Sequence, residues 1–442
     1  ELAALGYASA ANNYAGLGSQ DVDVFNMSYG RNPYQGTNEK ASYTTELVAG
    51  LKWGTQNLRD GKGAVYVKAS GNEYYGFSGG TFSEAWCSQA EANAVTCYNV
   101  NMENENVTPY QMIIGAFNAD DKRSSYSNTG SALWLAAPGG EFGVNSPALI
   151  TTDFGGCDYG FSQDQSSTYP FNIEPYNSDF NTGESSSDNE NCNYFSAFNG
   201  SSSSTPIVSG IAALLLEANP NLTWREIKHI LATTARQLDG ELADNVQSFA
   251  GRSVTLEQGW VVNEAGYHFS NLYGFGAPDA DAAITMALDW KANATSLTPM
   301  KEVQLQTVSV GSAIPDFSIT GLSSSVRASE NLITESVELV ITIDDLAGVQ
   351  TDGDSNKIDM SDYQIVLRSP KGTENVLLTP FNAYQSGYDM TDLKLISHAF
   401  YGEVSSGDWT LTVRDLDNST NNRISHPGEG KLVDWSLKIY GR

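Results

Sequence analysis

Positive charge is scarce in this chain. Its 442 residues carry 24 lysines and arginines against 52 aspartates and glutamates, a net charge of −28. Such a surface repels phosphate backbones and anionic headgroups, which argues against nucleic acid or a membrane as partner. It suits a secreted protein, or one that attracts cationic peptides. No run of eighteen apolar residues occurs, so no helical membrane span is expected. Cysteine is limited to Cys87, Cys97, Cys157 and Cys192. None forms a Cys-x-x-Cys pair, which excludes the usual structural zinc site. In polar, loop-like sequence they read as two disulfides made in an oxidising compartment. Three pairings are open, with the sequential one, Cys87–Cys97 and Cys157–Cys192, favoured. Histidine is equally sparse: His229, His268, His398 and His426 are all there are.

What is present is an apolar fraction of 40% over a length that exceeds one hydrophobic core, so two or more domains are expected. Short β runs at Asp23–Gly30, Ala64–Asn72, Met112–Ala116 and Leu133–Gly139 alternate with helical spacing, as in Thr44–Asn57. That alternation predicts a parallel α/β sheet. Ligands of such sheets lie at the carboxyl ends of the strands, where Ser28-Tyr29-Gly30 and Ser70-Gly71-Asn72 fall. The chain opens on Glu1-Leu2-Ala3-Ala4-Leu5, which reads as the middle of an amphipathic helix and predicts a start inside a domain.

One stretch organises the rest. Asn199-Gly200-Ser201-Ser202-Ser203-Ser204-Thr205-Pro206 runs straight into Ile207–Leu216, which is apolar on nearly every face and predicts a buried helix. Pro206 suits its first turn. Four serines in a row are usually a linker, but linkers seldom lead into a core helix. A serine at this end profits from the helix dipole as a nucleophile. Further on, Thr223 and Glu226 form a capping box for another helix.

These segments carry a resemblance. Val24–Gly30 resembles the strand lining the substrate cleft of subtilisin-like serine proteases. Ala69-Ser70-Gly71-Asn72 resembles their oxyanion-hole segment, and Ala136-Ala137-Pro138-Gly139 their A-P-G turn. Gly200–Pro206 resembles their G-T-S-x-A-x-P motif, with Ser201 in place of threonine and Ser204 in place of alanine. Trp260–Ser270 and Tyr273–Ala280 are similar to the end of the kexin and furin catalytic domain.

The resemblance implies a serine endopeptidase with Ser202 as nucleophile and the Asn72 amide as oxyanion donor. The alternative for Asn72 is a turn residue capping its strand. The family's aspartate and histidine would precede the region where this chain starts, and none of the four histidines lies in a His-Gly-Thr setting. The chain alone is therefore expected to be inactive, as an N-terminally truncated member. The partners implied are a peptide or protein substrate and the missing N-terminal segment, a chaperone or a propeptide. Kexin-like enzymes prefer basic residues. Arg31-Asn32-Pro33-Tyr34, where furin is acid-rich, weakens that preference here, while Glu103 or Glu105 could furnish a pocket-floor carboxylate or be solvated loop charges.

Around Lys291–Met300 the periodicity fades. We divide the chain there, into 1–292, the C-terminal part of a subtilisin-like catalytic domain, and 293–442. Beyond, Val337–Ile343, Tyr363–Leu367, Asp408–Val413 and Trp435–Tyr440 alternate, which predicts an all-β, jelly-roll-like sandwich. Ser369-Pro370-x-Gly372-Thr373 and Ser406–Trp409 resemble the P domain that follows kexin-type catalytic domains; a carbohydrate-binding jelly roll is the competing reading. Asp352, Asp354 and Asp359 form an oxygen-rich loop suited to calcium, or else a solvated acidic turn. The competing function is a non-catalytic binding protein on the same scaffold, with a ligand- or glycan-binding sandwich.

Overall fold

The computed structural model describes residues 5, 19–30, 41–75, 84–163, 175–182, 187–249, 251–293, 296–345, 360–384, 390–417 and 430–442. In chain order the first part holds β1 (Val24–Met27), α1 (Ala41–Asn57), β2 (Val65–Ala69), α2 (Glu84–Ala92), β3 (Met112–Phe117) and β4 (Leu133–Pro138). Then come β5 (Leu149–Thr152), α3 (Asp179–Thr182), β6 (Tyr194–Phe198), α4 (Ser201–Ala218) and α5 (Trp224–Thr234). The part closes with β7 (Asn245–Phe249), β8 (Arg252–Glu257), β9 (Val261–Val262), β10 (His268–Phe269) and α6 (Ala280–Asn293).

The order β1-β2-β3-β4 makes a parallel sheet, the α/β architecture expected from the alternating pattern. β2 and β3 are buried at every position and read as apolar runs, broken in β2 by Lys68, whose ammonium pairs with Glu103. The edge strand β1 alternates instead, with Phe25 and Met27 inward. Helix α4 packs across all four strands and against α6. Val208, Ala212 and Leu215 of α4 join Leu47, Leu51, Ile114 and Leu135 in one core. Helix α5 begins with the predicted capping box: Thr223 accepts from the Glu226 N–H and Glu226 from the Thr223 N–H.

Both disulfides take the sequential pairing, Cys87–Cys97 and Cys157–Cys192. Cys87 lies on α2 rather than in a loop, and it and Cys97 are buried.

The second part is all β: β11 (Lys301–Gln304), β12 (Val308–Ala313), β13 (Leu322–Ala328), β14 (Thr334–Asp345), β15 (Tyr363–Arg368), β16 (Glu374–Leu378), β17 (Met390–Ser397), β18 (Gly407–Asp415) and β19 (Gly430–Gly441). One antiparallel sheet runs β11-β19-β14-β17, with β12 also on β19; the other runs β13-β18-β15-β16. Leu339, Ile341, Leu395 and Leu437 of the first meet Ile365, Leu367, Trp409 and Leu411 of the second in a separate core. The candidate calcium ligands Asp352, Asp354 and Asp359 lie outside the described residues, as do Arg31–Tyr34 and His426.

The two parts join through a polar seam. Arg225 of α5 makes two hydrogen bonds to the Glu335 carboxylate, which also receives Arg442 at 3.2 Å. Next to that pair the Lys228 ammonium is buried, donating to the Pro109 carbonyl at 2.8 Å and lying 4.0 Å from the Trp134 ring centroid. Burial pushes its pKa down to about 7. Across the seam Asn271 donates both to Glu257 on β8, at 2.7 Å, and to the Val376 carbonyl on β16, at 2.6 Å. Tyr401 enters a cage of Trp134, Tyr267 and Phe275 rings.

Candidate active site

Helix α4 begins at Ser201, six residues before the apolar run, so Pro206 stands inside the helix and not in its first turn. A proline at that place leaves the carbonyl four residues back, that of Ser202, without its helical donor. The Ser28 hydroxyl at the end of β1 supplies one at 2.8 Å. Ser28 is in turn held by the Asn26 amide, 2.9 Å, and Asn26 by Ser209, 3.1 Å. The Ser202 hydroxyl, partly exposed, donates to the Ser28 carbonyl at 3.3 Å. Strand β1 thus grips the candidate nucleophile at both ends.

Gly200 caps the helix with φ of 99°, a conformation that only glycine adopts easily. A Cβ built there would lie 3.5 Å from Asn72 Nδ2 and 3.6 Å from the Ser202 nitrogen. Asn72 Oδ1 lies there too, at 3.6 Å, so the Asn72 amide and the Ser202 nitrogen border one small space that the glycine leaves open. The Asn72 amide has a fixed sense. Its Oδ1 accepts from the Ser201 N–H at 2.8 Å and from the Ser201 hydroxyl at 2.9 Å. A backbone N–H can only donate, so Nδ2 is the end turned outward. Ser201 also accepts from the Gly71 N–H at 3.1 Å, tying the two loops together. An amide donor beside a hydroxyl at a helix N-terminus is an arrangement that can serve an oxyanion.

Behind it stand further supports. The Gly200 N–H donates to the Tyr126 hydroxyl at 2.8 Å, which donates to the Gly139 and Gly140 carbonyls. Ser204 donates to the Ala137 carbonyl at 3.0 Å, so this departure from the family's alanine gains a hydrogen bond. Glu73 accepts from the Asn72 N–H and the Asn128 amide, both at 2.8 Å, and burial raises its pKa.

Glu103 and Glu105 are not solvated loop charges: Glu105 is buried and Glu103 pairs with buried Lys68 of β2 at 2.5 Å. A Cβ on Gly30 would meet Glu103 Oε1 at 2.4 Å, so this carboxylate lies against the end of the cleft strand.

Two of the three described histidines are engaged away from Ser202. His229 shares a hydrogen bond with Tyr401 at 3.0 Å, and burial lowers its pKa to about 4. His398 is buried in the seam against Trp134 and bonded to Ser336, its pKa far down for the same reason. His268 is exposed on β10. None of these three is a partner of Ser202.

Motif spacing pointed to Ser202 and Asn72, and strand ends to Ser28; the sequence reading missed Tyr126, Glu73 and Lys68. Glu73 alone had a sequence signal, its place beside Asn72. Tyr126 and Lys68 act through partners 74 and 35 residues away, Gly200 and Glu103, which no local pattern marks.

Sequence comparison gives the class. Residues 3–276 match the Subtilase family, and the chain belongs to it, a family of serine endopeptidases. Residues 346–439 match the proprotein convertase P-domain, the arrangement of the kexin-like branch. The Aeromonas extracellular serine protease of Aeromonas sobria is 31% identical over 463 residues, 96% of this chain and 68% of that protein. The microbial serine proteinase of Aeromonas salmonicida is 31% identical, over 84% of this chain and 61% of the relative. Human proprotein convertase subtilisin/kexin type 6 is 30% identical over 55% of this chain and 22% of its own length. The crystal structure of the Aeromonas sobria serine protease with a chaperone superposes with a TM-score of 0.79, at 29% identity, over 97% of this chain and 73% of that one.

Proposed function

We propose that this chain carries the nucleophile and oxyanion site of a secreted kexin-like endopeptidase, hydrolysing peptide bonds through an acyl-enzyme on Ser202. The observation that carries it is that the Asn72 amide and the Ser202 nitrogen border one small space beside Gly200, next to the Ser202 hydroxyl at the start of α4. In the reaction the Ser202 hydroxyl attacks the scissile carbonyl and its oxygen, now negative, moves into that space. Its proton passes to a base. His229 and His398 are engaged elsewhere and His268 is exposed on β10, so none of these three described histidines is that base. Without a base at Ser202 the rate is expected to fall on the order of 10⁶, the cost of losing the histidine in a subtilisin.

The division at 292/293 into catalytic part and P domain belongs to this reading. Export is supported by two disulfides and by the extracellular relative. A chaperone partner is supported by the complex in which the solved relative was crystallised. Cleavage after lysine or arginine rests on the kexin-like resemblance and on the Glu103 carboxylate against Gly30, whose charge is shared with Lys68. Calcium is supported by the spacing of Asp352, Asp354 and Asp359 in sequence. Among the described residues no group of three His, Cys, Asp or Glu is placed to hold a metal. Chelation should lower the Tm of the protein and added calcium restore it; an unchanged Tm removes the metal.

A phosphonate probe tests the nucleophile. Enzyme complemented with its base should label at Ser202, and Ser202→Ala should not label. Labelling elsewhere, or none, leaves the binding-protein reading. The same enzyme should cleave Arg substrates faster than Phe substrates, and the reverse order would sink the acidic pocket.

A further inference from the structure

Between Arg123 and Arg225 the chain contains no lysine, arginine or histidine, and its stretch 139–200 holds nine acidic residues. This stretch leads into the nucleophile turn. It also concentrates exposed apolar side chains: Phe142, Ile150, Phe154, Tyr159 and Tyr194. Soluble surfaces seldom gather so many, and where they do a partner usually covers them.

The arrangement is held firmly. β5 and β6 pair antiparallel with Thr152 opposite Tyr194, which sets Ile150, Thr152 and Tyr194 on one exposed face. The Asp153 carboxylate then closes the following loop, accepting from the N–H groups of Phe154, Phe161 and Ser162 at 2.8, 2.7 and 2.6 Å. Cys157–Cys192 and a Gly156 N–H to Asn191 carbonyl bond fasten the same loop to the chain entering β6. Yet Phe154 and Tyr159 are 72% and 74% exposed. A loop fixed by a carboxylate and a disulfide that shows two rings to water is preorganised, so little entropy is lost when the rings are covered.

The surface is continuous with the catalytic turn. β6 ends at Phe198, two residues before Gly200. Asn199 donates to the Glu141 carbonyl at 3.0 Å, and the Phe142 ring lies 5.5 Å from that of Tyr126, whose hydroxyl holds the Gly200 N–H.

We propose that this face, Phe142 to Tyr194, is an exosite for the polypeptide substrate, taking apolar and cationic residues that flank the scissile bond. The inference rests on the proteolytic reading above. The activity brings a polypeptide to Ser202, and the stretch bordering Ser202 matches one rich in lysine, arginine and aromatic side chains. Exposed Asp158 and Glu190 supply the charge beside the rings.

The test compares two substrates in active enzyme: a four-residue chromogenic peptide, and a polypeptide of about thirty residues with basic and aromatic flanks, a length a face of this size requires. The double variant Phe154→Ser, Tyr159→Ser should raise KM for the long substrate about tenfold and leave the short one unchanged. Asp158→Lys should do the same more weakly, with an effect that fades in high salt. Equal losses on both substrates, or no loss on either, overturn the exosite. So does a dimer of the parent that dissociates in the double variant, since a second copy is then the occupant. Parent enzyme inactive on the short peptide overturns the proteolytic reading itself, and the exosite with it.

Discussion

At Ser201 one side chain does what a longer network does elsewhere. Its hydroxyl and N–H both address Asn72 Oδ1, and the amide cannot turn over without losing the N–H bond. Asn72→Ala should lower kcat by roughly 10²–10³, the cost of removing one oxyanion donor in a subtilisin. Ser201→Ala should lower kcat about tenfold with KM unchanged, because the donor stays but is less well aimed; Ser201→Thr should restore it. Steady-state kinetics on a short substrate check both. An Asn72→Ala enzyme with wild-type kcat would remove Asn72 from the site.

Among the elements, the strands of the central sheet and the sandwich were legible because burial writes itself into sequence, as apolar runs in β3 and, but for Lys68, in β2, and as alternation in β18 and β19. The start of α4 was not. Serines are weak helix formers and are read as loop, and Pro206 seemed to mark a first turn. Tertiary bonds override that preference: Ser201 bonds to Asn72, Ser204 to the Ala137 carbonyl, and Ser28 satisfies the carbonyl that Pro206 leaves bare. Motif order found Ser202 and Asn72 because both sit at strand or helix ends. It could not find Lys68, whose partner Glu103 is 35 residues away.

Across the whole molecule, two buried ionisable groups lie along the seam with opposite effects on stability. Burial raises the Glu257 pKa to about 8 from 4.5. The folded state then holds a proton that the unfolded state has lost, so stability falls as pH rises from about 4.5 to 8, by up to about 1.4 kcal/mol per unit. Lys228, lowered to about 7 from 10.5, behaves in reverse: the unfolded state binds the extra proton, and stability rises with pH from about 7 to 10.5. Thermal melts at pH 5, 7 and 9 should show Glu257→Gln flattening the acid limb and Lys228→Met the alkaline one. A parent curve without either limb would mean that both groups titrate normally and that the seam is wet.

The stretch between Arg123 and Arg225 has one more consequence. An endopeptidase is surrounded at high concentration by copies of itself, and its own loops compete as substrates. Under a preference for lysine or arginine, the entire segment that builds the nucleophile turn, its hairpin and helix α4 offers no bond to cut. Under that preference, the composition that would draw cationic chains toward Ser202 would also leave the region around Ser202 without a bond its own chemistry could cut, a form of immunity from self-digestion written in the amino acids it omits.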